Sequence, residues 1–334
     1  MGHEITDQDG VFSVRKPMWH GLGTVLEDYP TRADAQAIAH PWEPMAEPIY
    51  RRIVEPRPYG PPLIRYEEIT GYYANARTDN NRIIGILNDS YETVDNNELW
   101  QIAEVIEGVD KGSVMFETGG SLKGGAKVWL LLRLRDPIVV PGDPRGATIP
   151  YFAMQNSHDG SGAFRGQAVV ERIVCANTAQ IADLESTARG TEFTFRHTKN
   201  VADRIEQAKD ALAGWRQSIT AWQETSREMI RTSITADQRE QFITSFIPMP
   251  PPHTISDLVE QNVRKARNQL RAILDGPTCE GIEFTTYGLT QASIEYLNHA
   301  RRARSQESRF KRTYLDRSDI LADAVAIARD VAHV

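Results

Sequence analysis

Cysteine is nearly absent. Only Cys175 and Cys279 occur in 334 residues, far apart and with no histidine at zinc-ligand spacing, which argues against a disulfide framework or a metal knuckle. Long apolar runs are missing too: none approaches the roughly 20 residues needed to span a bilayer, and no basic-then-apolar leader opens the chain. A cytoplasmic protein with no membrane partner is the expectation. Nor is there an excess of positive charge, since 38 Lys and Arg against 45 Asp and Glu leave a net charge of −7. That excludes a uniformly basic nucleic-acid coat but leaves room for a local positive groove. What the chain does have is 40% hydrophobic residues, enough for the core of one large or two ordinary domains.

Prolines mark the first part of the chain. Pro41, Pro44, Pro48, Pro56, Pro58, Pro61 and Pro62 cannot donate to a sheet ladder and confine strands there to short or edge positions, so an irregular N-terminal segment is expected. Gly71 to Ala76 and Arg82 to Leu87 flank the turn-prone Asp79-Asn80-Asn81 and read as a hairpin. Asn96 or Asn97 is placed to cap a helix running to Glu107, with Leu99, Ile102 and Ile106 on one face and Gly108 as its stop. A long hairpin follows, from Ser113–Glu117 through a glycine-rich turn at Gly119–Gly125 to Lys127–Leu134, and then strands at Ile149–Gln155 and Ala168–Cys175. From Val201 the apolar positions Ile205, Ala208, Leu212, Trp215, Ile219, Trp222 and Met229 step by fours and threes, with only Ser226 breaking the series. They form a heptad seam on one long helix, which either crosses its own sheet or meets another subunit. After a proline break, further helices are expected at Ile255–Leu274, with Leu258, Val259, Val263, Leu270 and Ile273 inward, at Leu289–Arg304 and at Ile320–Val331.

The fold class expected is α+β. An α+β core of antiparallel sheet with packed helices occupies residues 1–200, and a helical region occupies 201–334, comprising the long helix 201–232, the break at 248–252 and a helical part 255–334.

Catalytic constellations are weak. Cys175 with His158 as its base would make a nucleophilic pair, but Cys175 ends an apolar strand, where a lone cysteine is usually a small core hydrophobe. Ser157-His158-Asp159 has the letters of a triad, yet adjacent residues do not converge on one reacting atom. Gly119 to Lys127 departs from a phosphate loop, because Ala126 and Lys127 follow Gly125 where a lysine and a hydroxyl residue belong, and a strand is expected after it rather than a helix N-terminus. No metal-ligand or calcium-loop spacing occurs. Hence no enzyme activity, cofactor or metal is expected.

Basic residues carry more information. Arg165 and Arg172 bracket one turn-strand segment, Arg196, His197 and Lys199 mark the junction into the long helix, and Lys123 and Lys127 sit on the facing hairpin. These groups could follow a phosphodiester backbone, with Asn177 and Thr178 adding hydrogen bonds. A second cluster, Arg301, Arg302, Arg304, Arg309, Lys311, Arg312 and Arg317, encloses Phe310 and Tyr314, the mixture suited to stacked bases against a charged wall. Either cluster could equally be a solvated face.

Several stretches together resemble a known family: Met18-Trp19-His20-Gly21-Leu22-Gly23, Gly120-Ser121-Leu122 with Val128-Trp129, Asn156-Ser157-His158-Asp159-Gly160-Ser161, Arg172 to Thr178, Phe195-Arg196-His197-Thr198, and Tyr287-Gly288-Leu289 through Glu295 to Arg301. Over nearly the whole chain the sequence resembles the phage/plasmid-like protein family of unknown function, found on bacteriophages, plasmids and prophages. The expected order of elements is similar in architecture to phage single-strand annealing proteins of the Redβ, RecT and Erf types, without a shared diagnostic motif.

The function expected is a phage-encoded, cytoplasmic homo-oligomer, ring or filament, that binds single-stranded DNA and promotes annealing in recombination without nucleotide hydrolysis. Lys123, Lys127, Arg165, Arg172, Asn177, Arg196, His197 and Lys199 are its expected contacts. The alternatives are an accessory protein that binds a host recombination or replication factor and has no nucleic-acid activity, and a hydrolase centred on Cys175 and His158. The Trp19–Gly23 stretch reads as an arm onto a neighbouring subunit or as a cap on the chain's own core.

Overall fold

The computed structural model describes residues 6, 9–15, 23–91, 93–109, 114–144, 146–172, 177–180, 192–194, 201–251, 256–301, 304, 308–309 and 320–333. At 107–109, 171–172, 177–180, 192–194, 201–209, 211–212 and 320–321 it describes the backbone alone. Elements follow in the order β1 (Val11–Val14), β2 (Thr24–Leu26), α1 (Arg32–Ala39), β3 (Pro44–Glu55), β4 (Leu63–Arg77), β5 (Ile83–Asn88) and α2 (Asn96–Val109). Next come β6 (Val114–Leu122), β7 (Lys127–Leu134), β8 (Ile138–Val139), β9 (Ala147–Ser157), β10 (Arg165–Arg172), β11 (Asn177–Gln180) and β12 (Glu192–Thr194). The rest is helical: α3 (Val201–Arg231), α4 (Ala236–Phe246), α5 (Asp257–Leu274), α6 (Thr286–Glu295), a π-helical turn at Tyr296–Ala300, and α7 (Ile320–His333).

Strands β11-β10-β9-β7-β6-β1-β2 form one sheet in that order, with β8 beside β9 and β12 beside β10. Its ladders are antiparallel except for the parallel pair β1–β2. A second sheet, β3-β4-β5, is antiparallel throughout. The mixed class is α+β, as expected.

Side-chain alternation divides the large sheet into two faces. Val128, Leu130, Leu132, Phe152, Met154, Ala168 and Val170 join Leu99, Ile102 and Ile106 of α2 and Trp215, Ile219, Trp222 and Met229 of α3 in the main core. The long helix therefore crosses its own sheet over this stretch, with Trp215 5.5 Å from the ring of Phe152. The core runs on into the C-terminal helices through Phe242, Leu270, Leu274, Leu289 and Val325. On the opposite face Leu131, Ile149, Tyr151, Ala153 and Val169 form a smaller buried cluster.

Four expectations are corrected. The proline-rich N-terminal segment is not irregular: it holds the 12-residue β3 and the 15-residue β4. Pro44 and Pro48 are tolerated because β3 is an edge strand, where a missing donor breaks no ladder on its outer side. The glycine-rich turn shrinks to residues 123–126, since Gly119 and Gly120 lie within β6. Both are glycines because neighbours fill the space: a Cβ on Gly119 would meet Leu130 and Phe12, and one on Gly120 would lie 2.6 Å from the Gly10 carbonyl oxygen and 2.7 Å from the Trp129 ring. On α5, Leu270 is buried as expected but Leu258 is 67% exposed, its end of the helix projecting past the core. Finally, α6 starts at Thr286, not Leu289, because the Thr285 hydroxyl accepts from the Gly288 amide and caps it. Helices α1 and α4 escaped the periodicity, being short; Thr31 caps α1, and a reciprocal Thr235–Gln238 capping box starts α4.

Gly120→Val is expected to destabilise the fold by about 3 kcal/mol, at the upper end of overpacking costs, because neither a carbonyl nor a buried indole has room to retreat. Urea denaturation followed by tryptophan fluorescence measures it.

Candidate nucleic-acid interface and its buried junction

The predicted contacts fall in three places. Lys127 begins β7 opposite Ser157 of β9, and Arg165 begins β10 opposite Gln155 of β9. Alternation puts Lys127, Trp129, Gln155, Ser157, Arg165 and Gln167 on one face, at one end of the sheet. Lys123 is near this end, exposed in the turn after β6 at a φ of 57°. Arg172 and Asn177 are opposite each other on β10 and β11, seven residues along β10 from Arg165 and so roughly 24 Å away. Arg196, His197 and Lys199 lie outside the described residues, as do Cys175, Trp19, Arg302 and Lys311 to Arg317. Of the second cluster, Arg301 and Arg304 are exposed and Arg309 is half-buried.

Carboxylates temper the charge. Hydrogen bonds from Ser157 and Ser161 and the nearby Lys127 charge outweigh burial and hold Asp159 below the ordinary carboxylate range, so Lys127 already faces an anion. Arg77, missed from the sequence, donates from Nη1 to the Gly124 carbonyl at 3.2 Å and pairs with Asp79 at 2.7 Å, its guanidinium 4.3 Å over the Trp42 ring. Arg82 also flanks the Lys123 turn, for a Cβ on Gly124 would lie 2.5 Å from its Cζ.

Beneath this end the second sheet is locked onto the first by a buried polar network. Asn96, fully buried at the first turn of α2, accepts from His158 Nε2 at 2.8 Å and donates to the Trp42 carbonyl at 2.7 Å. Asn75 of β4 donates to the His158 carbonyl at 2.8 Å, and a Cβ on Gly85 of β5 would lie 2.7 Å from Asp159 Cα. His40 donates from Nε2 to the Gly120 carbonyl at 2.8 Å and accepts from the Trp100 indole at 3.0 Å. Burial lowers both rings, His40 to about 4 and His158 to about 3, so each is neutral. Glu43 accepts the Asn96 and Asn97 amides at 2.6 and 3.0 Å, the place where a helix N-terminus favours an anion; burial nonetheless pushes its carboxyl up to about 7.

These hydrogen bonds join α1, β4, α2 and the end of β9. His158 spends its proton-bearing nitrogen on Asn96, and Ser157 Oγ donates directly to Asp159 at 2.5 Å, so the imidazole does not stand between serine and aspartate as a triad requires. Among the described residues no cluster of three His, Cys, Asp or Glu forms a metal site. No described helix is long and apolar enough to cross a membrane.

Residues 83–317 match the model of a domain of unknown function, DUF932. The chain belongs to that uncharacterised family. Neither a curated protein nor a solved structure matches it.

The junction shapes the pH profile in two opposing ways. The unfolded chain protonates its histidines near 6.5, the folded chain only near about 4 and about 3, so the stability their neutral rings contribute is present above 6.5 and lost as pH falls through the folded values. Glu43 keeps its proton to about 7 folded but only to 4.5 unfolded, so its contribution is present below 4.5 and lost as pH rises through 7. Glu43→Gln removes this second slope. Its urea midpoint is expected to rise more steeply with pH than the parent's between 4.5 and 7; parallel profiles would mean that Glu43 is ionised throughout.

Proposed function

We propose that the protein binds single-stranded DNA in a bacterial cytoplasm, as a phage-encoded homo-oligomer that promotes annealing and recombination without nucleotide hydrolysis. One observation supports this reading above others: Lys127 and Arg165 share a face at one end of the large sheet, beside the Lys123 turn and Arg82. Only β9 separates their strands, and their registers on it differ by two residues, so their backbones lie roughly 12 Å apart, within reach of one extended phosphodiester segment. Gln155 of β9 stands between them on the same face, half-buried, while the Ser157 hydroxyl is buried and committed to Asp159.

A second reading, an accessory protein that binds a host recombination or replication factor, is favoured by a cavity of about 580 Å³ between α4, the π-helical turn and α7. Its walls include Phe246, Ile247, Tyr296, Leu297 and Ile327. That reading requires a host protein that co-purifies with the parent and is lost with Ile327→Asp.

Anisotropy titration of a labelled single-stranded oligonucleotide is expected to show affinity falling about tenfold or more from low to moderate salt, as released counterions dictate. Lys127→Glu combined with Arg165→Glu is expected to weaken it about tenfold further. Absence of binding at micromolar protein in low salt removes the reading.

A further inference from the structure

Beyond Tyr72 the second sheet has only two strands. β5 pairs with β4 at Tyr72–Ala76, whereas Tyr50–Glu55 of β3 pairs with Leu63–Glu68 of β4 alone. The register slips between Pro48 and Tyr50, three extra residues of β4 being taken up around Gly71 at a φ of 83°. An arm therefore leaves the core, ending in Pro56-Arg57-Pro58-Tyr59-Gly60-Pro61-Pro62. Its two sides differ. Tyr50, Val54, Ile64 and Tyr66 share one side with Arg52 and Glu68 and are all exposed, Tyr66 by 67%, while the other carries the cross-strand pairs Arg51–Glu67 and Arg65–Glu55.

A two-stranded ribbon in water is marginally stable by itself; three or more strands are needed. An open edge is also an invitation to pair unless prolines or lysines guard it. Pro44 and Pro48 interrupt the edge of β3 and Pro56 follows its last residue, but β4 runs from Leu63 to Arg77 without a proline or a lysine. Along Leu63–Gly71 its far side has no strand partner among the described residues.

We infer that a second copy of the chain fills this edge, the two β4 strands pairing antiparallel about a two-fold axis at Tyr66. An axis normal to the ribbon keeps each face on its own side, so only registers centred on a residue are allowed. Centring on Arg65, Glu67 or Glu68 sets that charge against its own copy, and like charges directly opposed are destabilising. Centring on Tyr66 stacks the two phenols, faces Arg65 with Glu67 of the other copy twice, and faces Leu63 with Ile69 twice. With the internal Arg51–Glu67 and Arg65–Glu55 pairs, charges then alternate across all four strands. Four arginines against three glutamates make the arm nearly neutral, which suits a copy of itself better than a polyanion.

This inference deepens the homo-oligomer part of the proposed function, and its test reads mass, not DNA affinity, so that the two stand or fall separately. The full chain with Tyr66→Cys is expected to form a disulfide-linked dimer on mild oxidation. Glu68→Cys, whose copies would lie four residues out of register, is not. Tyr66→Lys, on an arm outside the core, is expected to leave the thermal transition unchanged and to weaken self-association about tenfold or more in sedimentation. A parent that sediments as a monomer, or equal cross-linking through residues 66 and 68, overturns the pairing. So does a monomeric parent whose Tyr66→Lys form loses oligonucleotide binding, which would assign the arm to DNA.

Discussion

Asn96 sits where three parts of the chain must agree. Its side chain holds the His158 ring at the end of β9 and the Trp42 carbonyl ahead of β3, while its own amide, with that of Asn97, rests on Glu43. The bonds to His158 and Trp42 are out of water and those to Glu43 partly so, and in the buried pair an orphaned partner costs about 1–3 kcal/mol. Neutral imidazoles at His40 and His158 are part of the same condition, since a charge on either would have no buried anion to meet it. The network does what an apolar contact could not: it fixes the rotation of the small sheet against the large one, because hydrogen bonds have direction. A rigid base in turn lets β3 and β4 run on beyond the core as an arm with a defined heading.

Much of the scaffold was legible from spacing alone. Leu99, Ile102 and Ile106 are buried on α2, the Asp79–Asn81 turn joins β4 to β5 with Asn81 at a φ of 57°, and Trp215, Ile219, Trp222 and Met229 enter the core from α3. These succeed because a helix or hairpin is a local object whose period is written in consecutive residues. Local rules mislead where the deciding neighbour is remote. Prolines suggested an irregular N-terminal segment, but whether a proline harms a strand depends on its place in the sheet, which only the β3-β4-β5 order settles. Gly119 and Gly120 looked like a turn and are instead a strand shaved to admit Phe12 and Trp129.

The site was less legible than the fold for the same reason. Lys127 and Arg165 share a face because both begin strands flanking β9, which no pattern in either segment announces. Asp159, which softens the Lys127 charge, sits in the turn between β9 and β10. His40, Asn75, Asn96 and His158 come from four separate elements; none has a periodic signature, and buried asparagine and histidine are rare enough on statistical grounds that sequence reading favours the surface for them.

Electrostatics connects the sheet face to the arm. In a chain of net charge −7, screening confines the pull of a few local cations to about 10 Å at ordinary salt. With Arg172 roughly 24 Å down β10, the described residues of one copy present a short basic patch at the Lys127–Arg165 end, and a single-strand contact of that size releases few counterions. Under the proposed reading, useful affinity for an extended strand must come from repetition: several patches held by joined copies bind as one unit with a high effective concentration. The inferred pairing through β4 supplies one such joint. Under the proposed reading the assembly, rather than the single chain, is the unit that holds an extended strand of the same sign of charge.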